Sequence, residues 1–105
     1  MITKSVVIPC YNEENTILDI LNKLSSIKNF IKNLEIIVID DGSNDKTNNI
    51  LEENKNLYDF LITNSTNRGK GYSVKKGLEI STGEFIFFQD ADLEYDPNDI
   101  IKFSN

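Results

Sequence analysis

Four short apolar runs recur along the chain: SVVIP (5–9), EIIVI (35–39), DFLIT (59–63) and EFIFF (84–88). The clearest of them are continuous rather than alternating, the pattern of strands buried on both faces of a parallel sheet. Between the first two runs, Ile17, Ile20, Leu21, Leu24 and Ile27 stand at helical spacing, predicting a helix over 12–29. Asn12 is expected to cap it, with Glu13 and Glu14 in its first turn, and Pro9 is expected to stop the strand before it. A second helix is predicted over 45–55 with Ile50 and Leu51 inward, and a third over 72–80 carrying Val74 and Leu78. Asp96 is expected to cap a last one, with Pro97 at its first position. Strands alternating with helices imply right-handed crossovers and an α/β fold built on an open, mostly parallel sheet. The 105 residues suffice for one domain with a core of its own.

Charge and residue usage narrow the chemistry. The formal net charge is −6, which opposes binding to nucleic acid or to anionic lipid. The chain contains no histidine, so Ser-His-Asp and Cys-His nucleophilic sites and all histidine metal ligation are excluded. Cys10 is the only cysteine, which rules out an internal disulfide and a cysteine-rich zinc site. Carboxylate chemistry remains. No apolar run reaches 18 residues and no basic region precedes an apolar segment, so neither a transmembrane span nor a signal peptide is expected. The expected location is the cytoplasm or the cytoplasmic face of a membrane.

In open α/β sheets ligands bind at the carboxyl ends of the strands, and every unusual stretch falls on that edge. Pro9-Cys10-Tyr11-Asn12-Glu13 follows the first run and Asp40-Asp41-Gly42-Ser43 the second. Asn67-Arg68-Gly69-Lys70-Gly71 follows the third, and Asp90-Ala91-Asp92 the fourth. Taken alone, Asp40 to Ser43 reads equally well as a turn with a helix cap, and Tyr11 as packing or as a surface for a base. Arg68 and Lys70, with Lys75 and Lys76 nearby, make the main basic spot in the second half, and Gly69 and Gly71 would let backbone approach a phosphate. The loop is neither a dinucleotide fingerprint nor a P-loop. Asp96 is excused as a helix cap; Asp90, Asp92 and Glu94 are not. Hard oxygen ligands of that kind suit Mg²⁺ or Mn²⁺, which in turn hold phosphates.

Taken together, VVIPCYNEENTI (6–17), EIIVIDDGSNDKT (35–47) and NRGKGYSVKKGLEISTGEFIFFQDADLEYDP (67–97) resemble the nucleotide-binding half of a family 2 glycosyltransferase of the GT-A fold. The DADLEYDP segment is similar in particular to the branch of dolichyl-phosphate mannosyltransferases and polyprenyl-phosphate glycosyltransferases. The resemblance implies a metal-dependent, inverting transfer of sugar from a UDP- or GDP-sugar to an acceptor such as a polyprenyl phosphate or a growing glycan. It implies that Pro9, Tyr11 and Glu13 line the nucleotide pocket and that Val38 and Asp40 contact base and ribose. Arg68 and Lys70 would lie near the nucleotide or its diphosphate. Asp90, Ala91 and Asp92 would form the D-x-D element, Asp92 binding the metal directly, Asp90 binding ribose or metal, and Glu94 joining the metal shell where glutamine is common in that branch.

Family members continue into an acceptor-binding half that carries the catalytic base, commonly an aspartate. The resemblance therefore places the base beyond Asn105, the last residue of the sequence. Residues 1–105 are expected to be a single donor-binding domain, truncated at its C-terminus, that binds donor without efficient transfer. Two rivals share some features. A response-regulator receiver also has a strand ending in Asp-Asp, but here a whole strand and helix precede Asp40. A sugar-phosphate nucleotidyltransferase would have a glycine-rich loop where this chain has Pro-Cys-Tyr-Asn-Glu.

Overall fold

The computed structural model describes residues 4–91. Its elements are β1 (Lys4–Cys10), α1 (Ile17–Ile27), β2 (Leu34–Asp40), α2 (Thr47–Glu53), a short 3₁₀ turn (Lys55–Leu57), β3 (Phe60–Thr63), α3 (Lys70–Ile80) and β4 (Phe85–Phe88). The strands form one parallel sheet in the order β3-β2-β1-β4. The α/β class expected from the continuous apolar runs is therefore the observed one. The helix expected to begin at Asp96 lies outside the described residues, as do Asp92, Glu94 and Asn105.

Side chains of the two central strands alternate between two buried layers. Val6, Ile8, Ile36 and Val38 pack against α1, through Ile17, Ile20, Leu21, Leu24 and Ile27, and against Leu51 of α2. Val7, Ile37 and Ile39 face the other way, with Ile62 and Ile86 beside them, and α3 covers that side. The five apolar residues that predict α1 are all buried. Burial on both faces accounts for the runs that read as continuous rather than alternating.

Three expectations need correction. Pro9 does not stop β1, which pairs with β2 through Cys10. Cys10 carbonyl accepts from Asp41 N–H on the β2 side and Val7 carbonyl from Gln89 N–H on the β4 side. By alternation, Pro9 turns its missing N–H toward β4, beyond the last rung of that ladder, so no bond is lost. Asn12 does not cap α1 either: it sits at φ 54°, Glu13 and Glu14 lie in the turn before the helix, and Asp19 is the acidic residue of the first turn. The third concerns α3, which starts at Lys70 and buries Ser73 and Gly77 rather than Val74 and Leu78. A methyl at Gly77 would run into Val7 Cγ1 and stand 3.0 Å from Ile39 Cδ1. The helix lies so close to the sheet that only small residues fit between them.

At the amino ends of the strands, the buried Glu35 accepts from Ser5 Oγ at 2.6 Å, from Thr82 N–H at 3.0 Å and from Thr82 Oγ1. Gly83 N–H in turn donates to Ser5 Oγ at 2.9 Å. This carboxylate ties β1 and β2 to the turn that launches β4. Glu35→Gln leaves one oxygen for three donors and sets an NH₂ against a donor, which should cost about 1.5 kcal/mol and lower Tm by roughly 6–12 °C. Thermal unfolding followed by circular dichroism checks this; an unchanged Tm would show that water replaces the lost acceptor.

Candidate functional site

The chain runs from β1 outward to β2 and β3 and then returns to the other side of β1 for β4. The switch point, where ligands bind in open α/β sheets, lies between the carboxyl ends of β1 and β4. A cleft of about 370 Å³ opens there, within the range of small-molecule sites. Pro9, Tyr11 and Glu13 border it from the β1 side, and Lys70 and Asp90 from α3 and the end of β4. Five residues expected from sequence are thus brought to one cleft. Cys10, Asp41, Asn67, Gly69 and Ser73 complete its lining.

Two loops are fixed by bonds between side chains of one and backbone of the other. Ser43 Oγ accepts from Asn12 N–H at 2.9 Å, and Asn12 Oδ1 accepts from Asn44 N–H at 2.9 Å. Thr47 Oγ1 accepts from Glu13 N–H at 2.9 Å, Asp45 Oδ2 from Glu14 N–H at 3.3 Å, and Glu14 Oε2 from Lys46 N–H at 3.0 Å. Burial pushes the Asp45 carboxyl up, but the Thr47 hydroxyl and the Thr47 and Glu14 amides outweigh it, leaving it below the usual carboxylate value. Tyr11, 41% exposed, is presented at the edge of this locked pair.

Asp41 organises the third loop. Its Oδ1 accepts from Arg68 N–H at 2.8 Å and Asn64 Nδ2 at 2.9 Å, and its Oδ2 from Gly69 N–H at 2.9 Å. Burial raises its carboxyl, and these donors with the Ser73 hydroxyl lower it further than burial raises it. Gly42 is required beside it: at φ +71°, a Cβ there would stand 2.5 Å from the Thr66 carbonyl carbon and 2.6 Å from Asn67 N.

The remaining expected residues sit elsewhere. Val38 is fully buried in the core under α1. Asp40, also fully buried, accepts from Ser43 N–H at 3.1 Å and from Asn48 Nδ2 at 3.0 Å. Neither lines the cleft. Alternation explains the difference: Asp40 follows Val38 toward the helix α2 side, and Asp41 follows Ile39 toward α3 and the cleft. Of the Asp-Asp pair that the sequence singles out, the second member is the one that lines the cleft. Arg68 lies outside the cleft, its guanidinium carbon 5.4 Å from the centre of the Tyr72 ring, with Lys76 Nζ also 5.4 Å from that centre. Ala91 is buried, and its carbonyl accepts from the Thr16 hydroxyl, docking the end of the β4 turn onto the start of α1.

Among the described residues the cleft is lined by three carboxylates, Glu13, Asp41 and Asp90, and by the cation Lys70. Lys70 Nζ forms an ion pair with Asp90 Oδ1. Burial, then Asp40 and the neighbouring Glu13, Asp45 and Asp41, push the Cys10 thiol far up, so it remains a neutral thiol at physiological pH. The groups able to hold a cation are therefore carboxylate oxygens, suited to Mg²⁺ or Mn²⁺ rather than to a soft metal. Among the described residues no group of three ligating side chains gathers; Asp90 alone of the expected metal ligands is described.

A sequence model described as glycosyl transferase family 2 matches residues 5–104. The chain belongs to glycosyl transferase family 2. It is 35% identical over 100 residues to an undecaprenyl-phosphate 4-deoxy-4-formamido-L-arabinose transferase of Proteus mirabilis, covering 91% of this chain and 31% of that one. Among solved structures, Staphylococcus aureus TarS in complex with UDP-GlcNAc superposes with a TM-score of 0.77 at 35% identity, covering 87% of this chain and 27% of that one. The mannosyltransferase PcManGT of Pyrobaculum calidifontis, solved with GDP-Man and Mn²⁺, gives a TM-score of 0.78 at 27% identity, with 93% and 30% covered. The chain thus spans less than half the length of the curated relatives it matches. Family 2 membership and the GT-A fold of these neighbours set aside the receiver and nucleotidyltransferase readings.

Proposed function

We propose that the switch-point cleft of this family 2 chain binds a UDP- or GDP-sugar, with the diphosphate toward Lys70 and Asp90 and the nucleoside toward Tyr11. One observation carries the reading. Four rim segments far apart in sequence converge on one cleft that holds a cationic side chain, a carboxylate and an exposed aromatic ring. Tyr11 offers a face to the base, and Glu13 with Asp41 frames the pocket floor. Lys70 meets the anionic diphosphate, while Arg68 stands outside the cleft over Tyr72. Asp90 and Asp92 of the D-x-D element, with Glu94, are the residues that would hold Mg²⁺ or Mn²⁺. A cation bound there would supply Lewis-acid stabilisation of the charge that develops on the departing nucleoside diphosphate. It would also reconcile a chain of net charge −6 with an anionic donor.

The reaction class is inverting sugar transfer, and the similarity to the Proteus enzyme favours a polyprenyl phosphate as acceptor. Of the described carboxylates of the cleft, Asp41 is held by backbone amides and Asp90 is paired with Lys70.

Thermal shift tests the donor reading. A UDP- or GDP-sugar with Mn²⁺ at a hundred times Kd should stabilise the chain by about 2.7 kcal/mol, a gain that chelator removes. Asp92→Asn should lose the metal-dependent part of the shift and keep the melting temperature of the ligand-free protein. No stabilisation by either nucleotide sugar would overturn the assignment, and an undiminished shift in Asp92→Asn would overturn the metal role.

A further inference from the structure

We propose that the outer face of α3 docks on an anionic lipid surface, through Arg68, Lys75 and Lys76 gathered around Tyr72. The choice of a membrane as the partner rests on the polyprenyl-phosphate reading above.

The charge of this face is opposite to that of the whole. α3 carries three lysines against one acidic residue, Glu79, in a sequence of net charge −6. Ser73 and Gly77 turn toward the sheet, which leaves Tyr72 and Lys75 on the outer side and the half-buried Lys76 at its margin. Tyr72 is 40% exposed, and the Arg68 guanidinium carbon and Lys76 Nζ each stand 5.4 Å from its ring centre. Lys75 follows one turn on from Tyr72, at i+3. Among the described residues the ion pairs are made by Lys23, Lys28, Lys55 and Lys70. Arg68, Lys75 and Lys76 bring their charges to the surface without a carboxylate beside them.

A membrane fits this face better than other polyanions do. A basic helical face with an aromatic ring is the pattern of elements that lie on membrane surfaces, and tyrosine suits the boundary between headgroups and acyl chains. Leu78 and Ile80 are also exposed on the last turns of α3, apolar neighbours that lipid would cover. The net charge of −6 opposes the approach, but at physiological ionic strength charges farther than about 8 Å are largely screened, so the local charge decides. The patch begins at the rim of the cleft, because Arg68 lies between Asn67 and Gly69, which line it. A chain docked by this face holds the mouth of the donor cleft beside the bilayer, where a polyprenyl phosphate resides.

Flotation with vesicles of phosphatidylcholine, with and without phosphatidylglycerol, tests the face. Wild type should float with the anionic vesicles only, and raising the salt from about 0.1 M to about 0.5 M should release it. Binding should fall roughly fivefold in Lys75→Gln and about 25-fold in the double variant Lys75→Gln/Lys76→Gln. Lys23→Gln/Lys55→Gln removes the same charge from other elements and should bind like wild type. Melting temperatures confirm that the variants are folded. Failure of wild type to float with anionic vesicles would overturn the inference, as would undiminished binding in Lys75→Gln/Lys76→Gln. An equal loss in Lys23→Gln/Lys55→Gln would overturn it by reducing the effect to overall charge. Equally tight binding of a single-stranded oligonucleotide, lost in the same double variant, would overturn the lipid assignment. The thermal shift by UDP- or GDP-sugar with Mn²⁺ is read on the same proteins and should be unchanged in the lysine variants. Its absence in wild type overturns the donor reading; its presence without vesicle binding overturns this inference alone.

Discussion

Gly42→Ala should lose roughly 2–5 kcal/mol of stability, combining a left-handed backbone conformation forced on a residue with a Cβ and overpacking against a neighbouring chain segment. The corresponding fall in Tm is about 10–30 °C. The obstacle is backbone rather than a flexible side chain: the new methyl would meet the Thr66 carbonyl carbon and Asn67 N, at 2.5 and 2.6 Å. Relief requires the 66–69 loop to retreat from the turn after β2, and with it Arg68 and Gly69, whose amides Asp41 holds. Stability and nucleotide binding should therefore fall together. Gly71→Ala is the internal control. Nothing lies within 4 Å of the added methyl and the residue is helical, so a gain of about 0.5–1 kcal/mol is expected there. Chemical denaturation of the two variants decides the matter, and a Gly42→Ala protein as stable as wild type would show that the two loops are not in contact.

Asp41→Asn should have an effect of similar size with a distinctive pH signature. Donors face both carboxylate oxygens, Asn64 and Arg68 on one and Gly69 on the other. Whichever way an amide turns, its NH₂ meets a donor and a part-buried N–H loses its acceptor, a cost of about 2–4 kcal/mol. The folded-state carboxyl is held below its ordinary value. The stability it contributes is then complete above the unfolded-state value of about 3.9 and is lost as pH falls through the lower folded-state value. The gap between wild type and Asp41→Asn should be widest near neutrality and should close in acid below about pH 4. Urea denaturation at a series of pH values checks it. A gap independent of pH would mean that the carboxylate charge is not what holds the loop.

The fold is legible where burial is two-sided or helical spacing is regular. SVVIP and EIIVI announce central strands, and the spacing of Ile17 to Ile27 marks the buried face of α1. Two kinds of feature are not legible. Packing through smallness, as at Ser73 and Gly77, leaves no apolar periodicity, so the pattern points α3 inward by the wrong face. Polar residues that serve another segment's backbone look like local caps, and Asn12 reads as one although its partners are Ser43 and Asn44. For the site, the rim segments are visible as motifs, and Pro9, Tyr11, Glu13, Lys70 and Asp90 do meet in one cleft. Which of Asp40 and Asp41 lines the cleft depends on the sheet face that the cleft adjoins, and that follows only from where β4 inserts.

The interlocked turns after β1 and β2 distribute evolutionary freedom unevenly. Asn12, Asp45 and Thr47 act through their side chains, whereas Asn44 and Lys46 are gripped by their amides. Side-chain changes at Asn44 and Lys46 should then leave the frame of the cleft intact. A change at Asn12 or Thr47 has to find its compensation in the opposite turn, some thirty residues away. The two turns should therefore lose their geometry together when either partner of a bond is replaced.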